Sequence, residues 1–196
     1  ISTNASIAEI AKLALAKSRA NELHAAGQYK PKGVIAADIH GFGNIASAYT
    51  FAVHGCCVKV DTLTGKSTVE EYWAAHDAGT IINPLGAIGQ VIGGVVQGLG
   101  MALSETTSVS KNGQLLNPSY LDDRVPTFPD VPQVNVYFSP VFEDNGPAGA
   151  KTIGEPPVIP VAGCVANAIY DAIGVRQYNL PMTPEQVWRT LNDHES

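Results

Sequence analysis

Glu155 is the acid whose surroundings point most directly to chemistry. It lies in Gly146-Pro147-Ala148-Gly149-Ala150-Lys151-Thr152-Ile153-Gly154-Glu155-Pro156-Pro157, where glycines permit close backbone approach and prolines stiffen the exit. A carboxylate fixed on such a loop ahead of an apolar helix is expected to lose solvent, rise in pKa and serve as a general base. The competing reading is a glutamate that caps or salt-bridges the following helix. Gln90 and Gln97 stand seven residues apart in an uncharged stretch and share one helix face. Carboxamides in an apolar setting must find partners: either a heterocyclic ligand that needs both donor and acceptor, or backbone groups of a neighbouring loop. Gly86, Gly89, Gly93, Gly94, Gly98 and Gly100 crowd the same stretch, which allows close packing or a phosphate at the helix start.

Other chemistries lack their residues. His24, His40, His54, His76 and His194 make no zinc spacing with any cysteine pair, so no metal ligand is assigned to this chain. His76 beside Asp77 reads as a satisfied structural histidine, or as one that orients or titrates. No Gly-x-Ser-x-Gly surrounds Ser104 or Ser108, and neither a dinucleotide fingerprint nor a Walker lysine is present. Cys56, Cys57 and Cys164 make an odd total without Cys-x-x-Cys spacing, which fits a reducing, cytoplasmic setting. Adjacent Cys56 and Cys57 on a strand point to opposite faces, poor geometry for a mutual disulfide or joint ligation.

Positioning these groups requires an α+β arrangement. Ser6 and Glu9 form a capping box, after which Ile7, Ile10, Leu13, Ala14 and Ala20 line one helix face, with Gly27 as the stop. Residues 33–39 are predicted as a short strand and 46–60 as a longer one. The turn at 61–66 separates the latter from a partner at 67–75, an antiparallel hairpin. A polar loop enters an uncharged helix near Gly89. Residues 111–132 read as loop, with Pro118, Pro126, Pro129 and Pro132 breaking regular structure. A strand at 133–139, a helix near 161–174 and a helix opened by Thr183-Pro184-Glu185-Gln186 complete the set. The strands are too few for a large independent sheet, so some are expected to join strands supplied from elsewhere.

The 196 residues suffice for one core, and no confident internal linker divides residues 1–196. Twelve Lys and Arg against 18 Asp and Glu, a net charge of -6, argue against nucleic-acid binding, which needs a concentrated basic surface. With 15% charged residues but 19 Gly and 13 Pro, the composition suggests a surface partly covered by other chains. Residues 81–103 carry no charge and are long enough to cross a bilayer. Asn83, Pro84, Gln90 and Gln97 interrupt them, so a buried helix rather than a membrane span is expected. The chain opens on Ile1 without a basic segment, apolar run and cleavage site, and no secretory leader is expected.

Together, His76-Asp77-Ala78-Gly79-Thr80-Ile81-Ile82-Asn83-Pro84, Gly89-Gln90-Val91-Ile92-Gly93-Gly94-Val95-Val96-Gln97-Gly98-Leu99-Gly100, Lys151-Thr152-Ile153-Gly154-Glu155-Pro156-Pro157, Ala166-Asn167-Ala168-Ile169 and Asp171-Ala172-Ile173-Gly174-Val175 resemble, in family order, the C-terminal part of the molybdenum-binding subunit of the xanthine dehydrogenase and aldehyde oxidase family. The resemblance implies molybdenum with molybdopterin or its cytosine dinucleotide form. It also implies a 2Fe-2S subunit or domain, a flavin (FAD) subunit or domain, and the remaining molybdenum-binding segment as partners. Glu155 matches the family's base, which activates a molybdenum-bound hydroxyl for attack on an electron-poor carbon while hydride passes to a molybdenum sulfido group. Gln90 matches the glutamine that hydrogen-bonds the pterin, and Ser2, Thr3, Asn4, Ala5 and Ser6 resemble the tail of a cofactor-contacting loop. The implied activity is hydroxylation of a small aromatic N-heterocycle, purine- or nicotinate-like. Aldehyde oxidation or aromatic thioester reduction are the alternatives within the family, and a noncatalytic assembly subunit is the alternative outside catalysis. Asn117-Pro118-Ser119-Tyr120-Leu121-Asp122-Asp123-Arg124-Val125-Pro126-Thr127 follows a further family segment, with Asp123 where an aromatic residue is usual.

Overall fold

A computed structural model describes residues 5–18, 22–24 and 26–193. It divides into two units, Ile1–Gly33 and Val34–Ser196.

In the first unit, helix α1 spans Ile7–Ser18. Its capping box is formed: the Ser6 backbone N–H donates to Glu9 Oε2 at 2.8 Å, and the Glu9 N–H donates to Ser6 Oγ at 3.3 Å. The helix does not run on toward Gly27 as its apolar stripe suggested; residues 22–24 are already non-helical. None of α1 is buried, and a short helix without a packed face has little beyond its cap to extend it.

The second unit holds the core. Strands β1 (Phe51–Val60) and β2 (Ser67–Asp77) form the expected antiparallel hairpin, and β3 (Gln133–Phe138) adds to β2 in parallel. A register shift between Cys57 and Val58 pairs them with Glu71 and Val69, leaving Glu70 as the extra residue. This bulge lets both Val69 and Tyr72, three positions apart, face the core. The predicted strand at 33–39 is reduced to a single bridge between Ile35 and Asn44. Asp38 holds the chain there in a turn, accepting from the N–H groups of His40 and Phe42, which closes the segment before a ladder can form. The longer strand starts at Phe51 rather than 46. Phe51, Val53 and Tyr137 remain exposed on the sheet.

Helix α2 (Pro84–Leu103) begins five residues before Gly89. Asn83 is its cap, with Oδ1 accepting from the Gly86 N–H at 3.1 Å, and Pro84 takes the first helical position. Length and composition would suit α2 to a membrane, yet Val91, Gly94, Val95, Gly98, Leu99 and Ala102 on it are buried. It packs on α3 (Val161–Ile173), which covers β1, while α2 reaches β3. Val161, Val165 and Ile169 of α3 are fully enclosed, each contributing roughly 1.5–3 kcal/mol of burial. Helix α4 (Pro184–Asp193) starts as expected, its Thr183 Oγ1 accepting from the Gln186 N–H at 3.3 Å. Gly65, at φ +74°, makes the hairpin turn that abuts α4; a Cβ there would lie 1.9 Å from the Pro184 carbonyl oxygen.

Candidate active site

Glu155 sits in the tight turn between the glycine-rich loop and α3, pinned from both sides. Upstream, the Gly154 carbonyl accepts from Gln90 Nε2 at 2.7 Å. Downstream, Pro157 is fully buried against α2, at the place where Gly94 lacks a side chain. The backbone around Glu155 is therefore tied to α2 by one polar and one apolar contact. The carboxylate itself makes no hydrogen bond or ion pair among the described residues and faces a cleft of about 690 Å³. It neither caps nor salt-bridges α3. It is exposed, so the desolvating enclosure expected from the sequence is not supplied by this chain.

Gln90, Gly93, Gly94, Gln97, Gly154, Val158 and Ile159 complete that cleft with Glu155. Gln90 and Gln97 do share a face of α2, as their spacing required. Gln90 spends an N–H on the neighbouring loop, the second of the two roles open to it, while its Oε1 and the whole Gln97 carboxamide have no partner among the described residues. The glycines of α2 divide by position. Gly94 and Gly98 are contact points with Pro157 and Val161, whereas a Cβ on Gly89 or Gly93 would meet nothing within 4 Å. A second cleft, about 410 Å³, shares Gln90 and Gly154 and opens over Thr80, Ile81, Ile82 and Asn83. Gln90 thus stands at the boundary between the two.

The loop carrying Glu155 is anchored by a pair that sequence reading did not find. Lys151 Nζ donates to Asp77 Oδ2 at 2.6 Å, with side chains 7% and 13% exposed, and to the Tyr49 carbonyl at 3.0 Å. Lys151 holds the Asp77 carboxyl below the usual carboxylate range, helped by the Gly79 N–H. The sequence signal was the only lysine after Lys111, placed inside the glycine-rich loop.

His76 is structural rather than part of either cleft. Its side chain, 1% exposed, meets His54 with Nε2 atoms 2.9 Å apart, and His54 Nδ1 lies 2.9 Å from the Tyr72 hydroxyl. His76 Nδ1 is buried without a partner. Burial, then the nearby His76, drives His54 down to about 4 from 6.5, and burial also lowers His76. An unfolded chain binds these protons near pH 6.5 while the folded one refuses them. The stability held by the neutral pair is therefore complete above about pH 6.5 and is lost as pH falls toward 4. Melting temperature should be flat above that range and decline through it, and H54Q should flatten the decline; an unchanged slope in H54Q would remove His54 from the cause.

Cys56 and Cys57 lie on opposite faces of β1, Cys57 exposed and Cys56 with its Sγ 3.5 Å from Cys164 Sγ on α3. Asp123 lines neither cleft; its Oδ1 accepts from the Thr106 N–H at 3.3 Å, bracing the loop after α2. Of the N-terminal candidates, Ser2, Thr3 and Asn4 lie outside the described residues. Ala5 and Ser6 belong to the first unit, and the Ser6 hydroxyl is engaged with Glu9.

A sequence family described as the molybdopterin cofactor-binding domain matches residues 2–132. The xanthine dehydrogenase molybdenum-binding subunit of Escherichia coli O157:H7 is 42% identical over 136 residues, covering 69% of this chain and 18% of that subunit. The nicotine 6-hydroxylase large subunit of Paenarthrobacter nicotinovorans is 37% identical over 139 residues, 69% of this chain and 17% of the other. Among solved structures, the aldehyde oxidoreductase from Desulfovibrio gigas superposes with a TM-score of 0.75 at 31% identity, over 82% of this chain and 17% of that one. The chain therefore spans less than a fifth of the length of these relatives.

Proposed function

The chain belongs to the molybdenum hydroxylase family, and from that premise we propose that it is the C-terminal part of a molybdenum-binding subunit whose base is Glu155. The observation that carries this reading is the shared cleft: an unpartnered carboxylate, two carboxamides and the bare backbone at Gly93 all line it.

The residues fit a molybdopterin group. Where Gly89 and Gly93 leave open space, a flat heterocycle can lie against the helix backbone. Gln90 Oε1 and the Gln97 carboxamide offer it hydrogen bonds, with Gln90 held in orientation by Gly154. When bound, the molybdenum–pterin group supplies the two-electron redox chemistry. Glu155 accepts a proton at its carboxylate and Pro157 and Gln90 hold its turn in place. The enclosure that would exclude water around Glu155 comes, in this reading, from the rest of the subunit. Ser2, Thr3, Asn4, Ala5 and Ser6 enter this reading as cofactor contacts on the family resemblance alone, the Ser6 hydroxyl being used as a cap.

The substrate class we propose is a small aromatic N-heterocycle, supported by relatives named for xanthine and nicotine. A 2Fe-2S partner and a flavin partner carry electrons away, and the odd set of three cysteines supports a cytoplasmic setting. Elemental mass spectrometry on the native, gently purified assembly tests the core of the proposal. About one molybdenum per copy of this chain is expected, with turnover of purine- or pyridine-type rings exceeding that of aldehydes. An intact assembly free of molybdenum would make this chain an assembly element instead.

A further inference from the structure

We propose that Lys151 is a positioning residue for Glu155, acting through its buried ion pair with Asp77; the inference rests on Glu155 being the base. An ion pair this enclosed is a poor source of stability, because removing both charges from water costs about as much as their attraction returns. Its value lies in geometry. Asp77 ends β2, and the backbone just beyond it grips the loop: the Lys151 N–H donates to the Ala78 carbonyl at 2.9 Å, and the Thr80 N–H donates to the Gly149 carbonyl at 2.8 Å. Gly79, at φ +64°, lets the two segments close, since a Cβ there would lie 2.3 Å from the Gly149 oxygen.

From Lys151 onward the loop is anchored repeatedly. The Lys151 ammonium takes Asp77 and the Tyr49 carbonyl, with Glu143 at 4.0 Å as a second carboxylate. The Thr152 carbonyl accepts from Thr50 Oγ1 at 3.1 Å, and the Gly154 carbonyl accepts from Gln90 Nε2 at 2.7 Å. Three different parts of the fold, the end of β2, the approach to β1 and the middle of α2, thereby fix the path to Glu155. The ion pair is the charged member of that set and ties it to the central strand of the sheet. Lys151 lines the second cleft rather than the one with Glu155, so it reaches the chemistry through the loop.

The test uses the complete assembly and the double variant K151M/D77N, which removes both charges of the Lys151–Asp77 pair and leaves Glu143, 18% exposed, to water. Molybdenum content and melting temperature are expected to stay near the parent, KM to hold, and kcat to fall about 100-fold, the loss that a displacement of about 1 Å can cause. K151R, which keeps the pair, should recover most of kcat. A kcat within twofold of the parent in the loaded double variant overturns the proposal. Should the double variant lose its molybdenum, D77E decides, because it keeps both charges and shifts the anchor: a tenfold or larger fall in kcat with molybdenum retained supports positioning. An unchanged kcat in D77E, or loss of molybdenum there too, overturns it. E155Q, run alongside, separates the two ideas. If E155Q keeps its rate, the base assignment fails; if E155Q is inactive while the Lys151 variants are not, only the positioning role fails.

Discussion

Replacing Glu155 with glutamine is expected to lower turnover of the loaded assembly by about 100- to 10,000-fold, the range a general base supplies, with molybdenum content and melting temperature unchanged. The substitution preserves shape and removes only the ability to take a proton. It should be nearly neutral for folding, because the carboxylate is exposed and makes no hydrogen bond or ion pair among the described residues. Surface changes of that kind shift stability by about 0.5 kcal/mol or less. The contrast between kinetics and stability is what identifies the role: a capping or salt-bridging glutamate would lose stability on substitution and keep its rate. Turnover of E155Q near the parent rate would sink the assignment of Glu155.

What the sequence disclosed and what it hid divide along the reach of the interactions. Asn83 before Pro84, Thr183 before Pro184 and the Ser6–Glu9 box are local signals. The first fixes where α2 begins, five residues before the entry expected near Gly89 behind a polar loop. The 61–66 turn announced its hairpin for the same reason. Gln90 and Gln97 were legible as a face because helical spacing is geometry that the sequence carries directly. The Lys151–Asp77 pair joins residues 74 apart, and His54–His76 joins residues 22 apart across two strands; no periodicity announces either. The parallel placement of β3 on β2 was equally hidden, because it depends on a crossover through α2 and the long loop after it. The apolar stripe of α1 misled about its length, since a stripe extends a helix only when something packs against it. The glycines of α2 were seen as a group, but only the structure separates those that admit α3 from those that face open space.

That separation yields a large expected effect on stability. At Gly98 even a single Cβ would lie 2.5 Å from the Val161 Cβ and 2.6 Å from one of its methyls, far inside carbon–carbon contact distance. Val161 is fully buried and begins α3, so it has no solvent to move into. G98V adds a branched side chain at that point, and overpacking of this degree costs about 3 kcal/mol or more. For a chain of this size that is a fall in melting temperature of about 6–12 °C. Activity should fall with it, because Val161 directly follows the turn that holds Glu155 and Pro157. G93A on the same helix is the counter-case: its Cβ meets nothing within 4 Å, and exchanging glycine for alanine there should stabilise the helix by roughly 0.5–1 kcal/mol. Its cost should appear in molybdenum content instead, since Gly93 lines the cleft assigned to the cofactor. Equal melting temperatures for G98V and the parent would mean that α2 and α3 do not meet at Gly98, and would remove the contact on which the Glu155 turn depends.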